Sequence, residues 1–285
     1  CWRPAAILNN GSHGANRKCS FARSPKAFGI DNSMTELSLP RHWLFLRGLS
    51  RESGHWQPFV DDCAARLGWQ CHTLDLPGFG SEHQRRSPLT IAEIRSDLQQ
   101  RFALPDDEPF GIVALSLGGM VALDWLYTEP QRIRQLILIN SSSGDCPVWQ
   151  RLQPRALPQV FRGLVSRHIS TQEQAIMKMV SNRHGNNAAL LSRYVELRNQ
   201  HPIQRRNVLR QLWAASRFRA PHTLPADRLL FLASRADHMV SWQCSQQLAD
   251  RYQAPVALHQ SAGHDLPLDD PDWLIQRFED IAGKE

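Results

Sequence analysis

Gly111-Ile112-Val113-Ala114-Leu115-Ser116-Leu117-Gly118-Gly119-Met120 carries an apolar run into a serine and two glycines. Val121-Ala122-Leu123-Asp124-Trp125-Leu126 then resumes with helical character. The order is strand, sharp turn, helix. A turn this tight cramps the serine backbone, so the residues two before and two after it, Ala114 and Gly118, must be small. The turn lifts the hydroxyl clear of the sheet and aims the backbone N–H of Leu117 at whatever the hydroxyl attacks. A serine in an ordinary strand-to-helix loop would fit the same pattern, so the rest of the chain has to decide.

On both sides of this stretch, strands alternate with helices. His42 to Leu46 reads as a buried strand that ends in a polar loop, Arg47-Gly48-Leu49-Ser50-Arg51-Glu52-Ser53-Gly54. A helix over 56–67 follows, then a strand over 70–74 closing on Asp75-Leu76-Pro77-Gly78-Phe79-Gly80-Ser81. The helix over 89–102 has Thr90 as N-cap and Glu93 in capping-box position. After the Ser116 helix comes a strand over 136–140. Such alternation predicts an α/β fold, a mostly parallel sheet with helices on both faces.

The alternation stops at Ser141. Residues 145–226 show only helical periods (Ile176, Met179, Val180; Leu190, Tyr194, Leu197; Val208, Leu209, Leu212, Trp213). Strands return at 228–233 and 255–259, with helices over 241–252 and 270–281. An all-helical insert between two strands of a parallel sheet reads as a cap over the strands' carboxyl ends, where α/β sheets bind ligands. The expected organisation is a core of 34–144 and 227–285 with a helical cap over 145–226.

The charge is split along the same boundaries. The chain has 285 residues and a formal net charge of +6. Residues 145–226 hold twelve arginines, Lys178 and three acids, or +10; residues 1–33 contribute +4, and the remainder is −8. An acidic body with a basic insert argues for a local field over one face, not for nucleic-acid binding. The arginines would either steer an anionic substrate or form a solvated helix face. Residues 1–33 have no helical or strand period and lack the apolar centre of a secretory signal. They read as a disordered or non-native leader, with Met34 as the natural start and a transit peptide as the weaker reading.

No apolar run approaches a membrane span, so no stable membrane insertion is expected. The six cysteines, at 1, 19, 63, 71, 146 and 244, form no CxxC and no regular framework, which points to reduced thiols and a cytoplasmic protein. With no Walker loop, dinucleotide fingerprint or metal-ligand cluster, neither a cofactor nor a metal is expected. The expected partner is a small-molecule acyl substrate; the oligomeric state stays open.

A serine hydroxyl is a poor nucleophile near neutral pH and needs a histidine base oriented by a carboxylate. His264, in Ser261-Ala262-Gly263-His264-Asp265-Leu266-Pro267, follows the 255–259 strand. Asp237, in Ser234-Arg235-Ala236-Asp237-His238-Met239-Val240, follows the 228–233 strand. Rivals exist for both. His238 sits in the acid loop itself, and His259 lies within a strand and reads as structural. Asp265 is also close to His264. Asp269 and Asp270 read as first-turn residues complementing a helix dipole, and Asp75 as a residue that shapes its own turn.

With Ala114-Leu-Ser-Leu-Gly-Gly, Asp75-Leu-Pro-Gly-Phe-Gly-Ser, Asp237-x-x-Val and Gly263-His264 in this order, residues 41–283 resemble an α/β-hydrolase with a helical cap, of the serine-esterase kind. The resemblance implies catalytic Ser116, Asp237 and His264, with the backbone N–H groups of Leu49 and Leu117 as oxyanion hole. It also implies hydrolysis of a carboxylic ester or related acyl substrate through an acyl-enzyme. The glycine of the first loop commonly follows a histidine in this superfamily; here Arg47 stands there, and would either pair with an acid below the site or face a substrate carboxylate. The Asp-Leu-Pro-Gly and Ser-Leu-Gly-Gly pieces also resemble a menaquinone-pathway lyase of the succinyl-hydroxycyclohexadiene-carboxylate synthase type. Those enzymes usually carry arginine after the glycine pair, where this chain has Met120. A hydrolase-like binding protein without turnover is the third alternative. Arg47, Met120 and Arg193 are the expected substrate contacts, with Arg205, Arg206 and Arg210 as further arginines for the site's mouth.

Overall fold

The computed structural model describes residues 39–105 and 108–282. The expected leader over 1–33, Met34, Cys1 and Cys19 lie outside the described residues. Six strands, β1 (His42–Leu46), β2 (Gln70–Thr73), β3 (Phe110–Leu115), β4 (Ile133–Ile139), β5 (Leu229–Ser234) and β6 (Val256–His259), make one sheet in the order β2-β1-β3-β4-β5-β6. Every pairing is parallel. The order reverses between β1 and β3, and at such a switch point the loops diverge and leave a crevice at the carboxyl ends of the strands.

Strands covered on both faces must be apolar throughout, and their period of two divides the side chains between two cores. Leu44, Leu46, Ile112, Ala114, Leu136, Leu138 and Phe231 pack with α2 (Ile91–Arg101), α3 (Leu117–Thr128) and α9 (Trp242–Tyr252). Trp43, Phe45, Val113, Leu115, Ile137, Ile139, Leu230 and Leu232 pack on the other side with α1 (Phe59–Leu67), α10 (Leu266–Asp269) and α11 (Pro271–Ala282). The capping box of α2 forms as expected: Glu93 N–H donates to Thr90 Oγ1 (3.2 Å) and Thr90 N–H to Glu93 Oε2 (3.1 Å). The helix expected over 56–67 is divided into a short 3-10 turn, Ser53–Trp56, and α1. Pro58, between them, has no N–H to continue the turn.

Between β4 and β5 the chain runs through α4 (Val148–Arg151), α5 (Leu157–Val165), α6 (Ile169–Val180), α7 (Ala188–Gln200) and α8 (Arg205–Arg217). The last of these is inside out. Its buried residues are Asn207, Gln211 and Ala214, while Leu209, Leu212 and Trp213 are exposed. The reason is what α8 lies against, a loop with free backbone polar groups. Asn207 accepts from Ser87 N–H (3.0 Å) and donates to the Arg85 carbonyl (2.9 Å), and Gln211 donates to the Pro77 carbonyl (3.4 Å). Buried backbone polar groups need partners, and here a helix face supplies them.

Candidate active site

Ser116 sits where β3 gives way to α3, at φ 58° and ψ −118°. Side-chain-bearing residues rarely adopt such a backbone, which persists only when its surroundings hold it. The end of β4 does so: Ser116 N–H donates to the Ile139 carbonyl (2.9 Å), and Ser141 Oγ donates to the Ser116 carbonyl (2.8 Å). The need for a small residue two places on is steric. A Cβ on Gly118 would lie 2.6 Å from the Leu46 carbonyl oxygen and 2.7 Å from that of Arg47. A Cβ on Gly48 would stand 2.9 Å from the Ser116 Cβ, so the loop after β1 lies directly against the serine. Among the described residues, the N–H groups of Leu49 and Leu117 have no hydrogen-bond partner.

Asp237 and His264 meet in a buried pair, with Nδ1 of the ring 2.7 Å from Oδ2 of the carboxylate. The other carboxylate oxygen accepts from Met239 N–H (2.7 Å) and Val240 N–H (2.9 Å). That is the physical content of the Asp-x-x-Val spacing: a turn of backbone fixes the acid. A carboxylate at Nδ1 keeps the proton on that nitrogen and leaves Nε2 as the acceptor. His264 and Ser116 line the same pocket, about 100 Å³ and open to solvent, whose apolar wall includes Leu49, Ile176, Met179, Val180 and Met239.

The polar surroundings explain how the loops stay in place. Arg47 does pair with an acid: its guanidinium donates to both oxygens of Asp265 (3.1 and 2.5 Å) and lies over the Trp56 ring, 4.8 Å from its centroid. Arg47 still lines the pocket, but its charge is matched by Asp265. The other expected substrate contacts are elsewhere. Met120 packs in the core between sheet and helices. Arg193 donates to the Gln57 (3.2 Å) and Gly54 (3.1 Å) carbonyls, fastening α7 to the loop after β1. Arg205, Arg206 and Arg210 do not line the pocket either; Arg205 and Arg206 are exposed, and Arg210 donates to the Ser87 carbonyl.

Three groups take positioning roles that the sequence does not reveal. Asn140, at φ 46°, accepts from Ser234 N–H (2.8 Å) and donates to the His264 carbonyl (2.8 Å), linking the ends of β4 and β5 to the histidine loop. An asparagine closing an apolar strand was the only signal. Asp269 does more than stand as a first-turn acid: it accepts from Gly263 N–H (2.6 Å), Asn182 N–H (2.9 Å) and Ser181 Oγ, tying the end of α6 to the histidine loop. Glu173, buried on α6, takes Arg51 (2.7 Å) and Arg198 (2.6 Å) on its two oxygens.

His55 completes that cluster, its Nε2 accepting from Arg51 (2.9 Å) and its Nδ1 3.2 Å from the Glu52 carbonyl. Burial, followed by the nearby guanidiniums of Arg51 and Arg47, holds its pKa well below the ordinary histidine value. Of the rivals, His238 is exposed, and His259 accepts from Ala262 N–H (2.9 Å) while facing Asp270 (3.1 Å), a structural arrangement. Asp75 shapes more than its own turn, accepting from the N–H groups of both Ser81 (2.8 Å) and Ser53 (2.6 Å).

A parallel sheet with a strained serine at its switch point and a buried Asp–His pair on the neighbouring loops is the architecture of an α/β-hydrolase. The chain belongs to the alpha/beta hydrolase family, which it matches over residues 43–277. Among its relatives is the pimeloyl-[acyl-carrier protein] methyl ester esterase of Aeromonas salmonicida (strain A449), 30% identical over 122 residues, 42% of this chain and 44% of that one. The match therefore spans less than half of that relative's length. RutD of Cronobacter turicensis, which carries the name of a carbamate hydrolase, is 23% identical over 84% of this chain and 88% of its own. The fold is shared with the 2-hydroxy-6-oxo-6-phenylhexa-2,4-dienoate hydrolase of Rhodococcus sp. strain RHA1, at TM-score 0.66 and 19% identity over 85% of this chain and 90% of that one.

Proposed function

We propose that the protein hydrolyses carboxylic esters with an apolar acyl chain through a Ser116-His264-Asp237 triad. Ser116 Oγ attacks the ester carbonyl while His264 Nε2 takes its proton. Asp237 fixes the ring and stabilises the imidazolium. The negative charge that develops on the carbonyl oxygen falls to the N–H groups of Leu49 and Leu117, preorganised donors without partners of their own among the described residues. His264 then gives its proton to the departing alcohol, and water releases the acyl group by the same steps in reverse order. Residues 145–226 act as the cap, with α6 supplying Ile176, Met179 and Val180 to the acyl side of the pocket.

The observation that carries this reading is the buried 2.7 Å Asp237–His264 contact beside a pocket shared with Ser116. The apolar wall and the matched charge of Arg47 favour an uncharged acyl chain over an anionic one. The relatives named as esterase and carbamate hydrolase agree in reaction type. A fluorophosphonate probe is expected to label the chain once, on the peptide containing Ser116, with parallel loss of aryl-ester hydrolysis. Labelling elsewhere, or full activity after Ser116 is labelled, overturns the assignment.

A further inference from the structure

We propose that the outer face of α4, α5 and α8 docks the protein reversibly on an anionic lipid surface. On α5, Leu157, Phe161 and Val165 recur every four residues, so they share one side of the helix, and all three are exposed. Trp149 on α4 is 68% exposed, Phe161 67%, and Leu209 and Trp213 on α8 66% and 53%. Single exposed apolar residues are ordinary, but a set of this size on three helices of the one insert marks an interaction surface. α4 adjoins the last turn of α8, where Arg151 donates to the carbonyls of Ala215 (2.6 Å) and Ser216 (3.4 Å).

Charge identifies the occupant. No Asp or Glu occurs from 146 to 172 or from 197 to 226, and these two runs hold ten arginines. Arg155, Arg162, Arg167, Arg205, Arg206 and Arg217 are exposed, and none has a carboxylate partner among the described residues. Arg217 lies over the ring of Trp213, 5.3 Å from its centroid, so charge and apolar surface occupy one face. Exposed Trp, Phe and Leu on helices that carry arginine and no acid are the composition of helices lying in a membrane interface. Among the described residues no helix is long and apolar enough to cross a membrane, so the contact is peripheral.

Two other occupants fit less well. A second copy would set arginine against arginine, with no acid on either of the two faces. An acidic protein would answer the arginines but would need a matching groove for each projecting apolar side chain. Acyl chains accept such side chains without shape matching. The inference rests on this surface alone and stands or falls separately from the reaction proposed above.

The test uses the full chain and vesicles of phosphatidylcholine, alone or mixed with phosphatidylglycerol. Co-sedimentation with the mixed vesicles is expected to be roughly tenfold stronger or more, and to weaken as salt rises. Lipids brominated in their acyl chains are expected to quench tryptophan fluorescence. The variant Trp149→Ser/Phe161→Ser/Trp213→Ser changes only exposed side chains, so it keeps its melting temperature and its hydrolysis of a short soluble ester. Its vesicle binding is expected to fall roughly tenfold or more, and most of the quenching to disappear. Absence of binding to the mixed vesicles overturns the proposal. So does undiminished binding by the triple variant, which would leave a purely electrostatic surface suited to an acidic protein. A dimer that the triple variant converts to monomer would assign the face to a second copy.

Discussion

The two sides of the pocket are built by opposite rules. On the sheet side, each proposed reacting group follows a strand and is held largely through backbone groups: Ser116 N–H by the Ile139 carbonyl, Asp237 by the N–H groups of Met239 and Val240, and the His264 carbonyl by the Asn140 side chain. On the helical side, α8 turns Asn207 and Gln211 inward and Leu209 and Trp213 outward, and Glu173 on α6 is buried between two arginines. Strand ends hold these residues mainly by backbone groups, with Asn140 and Ser141 adding side-chain bonds to backbone carbonyls. The inserted helices attach through particular polar side chains, which frees their apolar faces for other uses.

The largest expected effect is on the sheet side. Ser116→Ala should lower ester turnover about ten-thousandfold or more, with little change in melting temperature. Asp237→Asn and His264→Ala should each be nearly as damaging, and their combination hardly worse than the poorer single change, because the groups act as a unit. Independent, multiplying losses measured in steady-state kinetics would break the triad reading.

Next comes the ion pair between two loops of the sheet side. Arg47→Met leaves Asp265 buried and unpaired, which should cost about 3–5 kcal/mol in chemical denaturation, while Arg47→Met/Asp265→Leu should recover most of it. If Arg47→Met instead left stability intact and raised KM only for esters with an acyl carboxylate, Arg47 would be a substrate ligand and not the counter-charge of Asp265.

A smaller effect tests the inverted helix. Asn207→Leu strands the Ser87 N–H and the Arg85 carbonyl and should destabilise by about 2–3 kcal/mol. Leu209→Gln, two positions on, should stay within about 0.5 kcal/mol of the parent, as exposed substitutions do. The reverse ranking in urea unfolding would mean that α8 packs by its apolar side after all.

This asymmetry also explains what the sequence reveals. The parallel sheet, the capping box at Thr90, and the placement of Ser116, Asp237 and His264 at strand ends follow from apolar runs and turn residues, which are local signals. Arg193 and Met120 read as site residues but do not line the pocket, because the direction a helix faces depends on its neighbour. The period of Val208, Leu209, Leu212 and Trp213 identifies a helix but not which face is buried. Asn207 looks like a surface residue until the 77–87 loop, with its unpaired backbone groups, is set against it. Asp269 reads as a dipole residue for the same reason: its partners Ser181 and Asn182 are distant in sequence.

The smallest expected effect is a pH dependence of stability that originates where α6 meets the loop after β1. Arg51 donates to Nε2 of His55, so the neutral ring carries its proton on Nδ1, facing the Glu52 carbonyl. Protonating Nε2 would set a second positive charge against Arg51. The folded-state pKa of His55 is accordingly held well below the ordinary 6.5 by burial and by Arg51 and Arg47. Below pH 6.5 the unfolded chain then binds a proton that the folded chain refuses, so stability is complete above that pH and declines as pH falls towards the folded pKa. His72, lowered by burial and by His42, contributes with the same sign. The informative quantity is therefore the difference between the parent and His55→Gln, which keeps a side-chain acceptor for Arg51 but cannot titrate. Urea midpoints measured from pH 7.5 to 5.0 should fall less steeply in the variant. Equal slopes would show that His55 takes up its proton while folded, and that the Arg51–Glu173–Arg198 cluster opens enough to accept it.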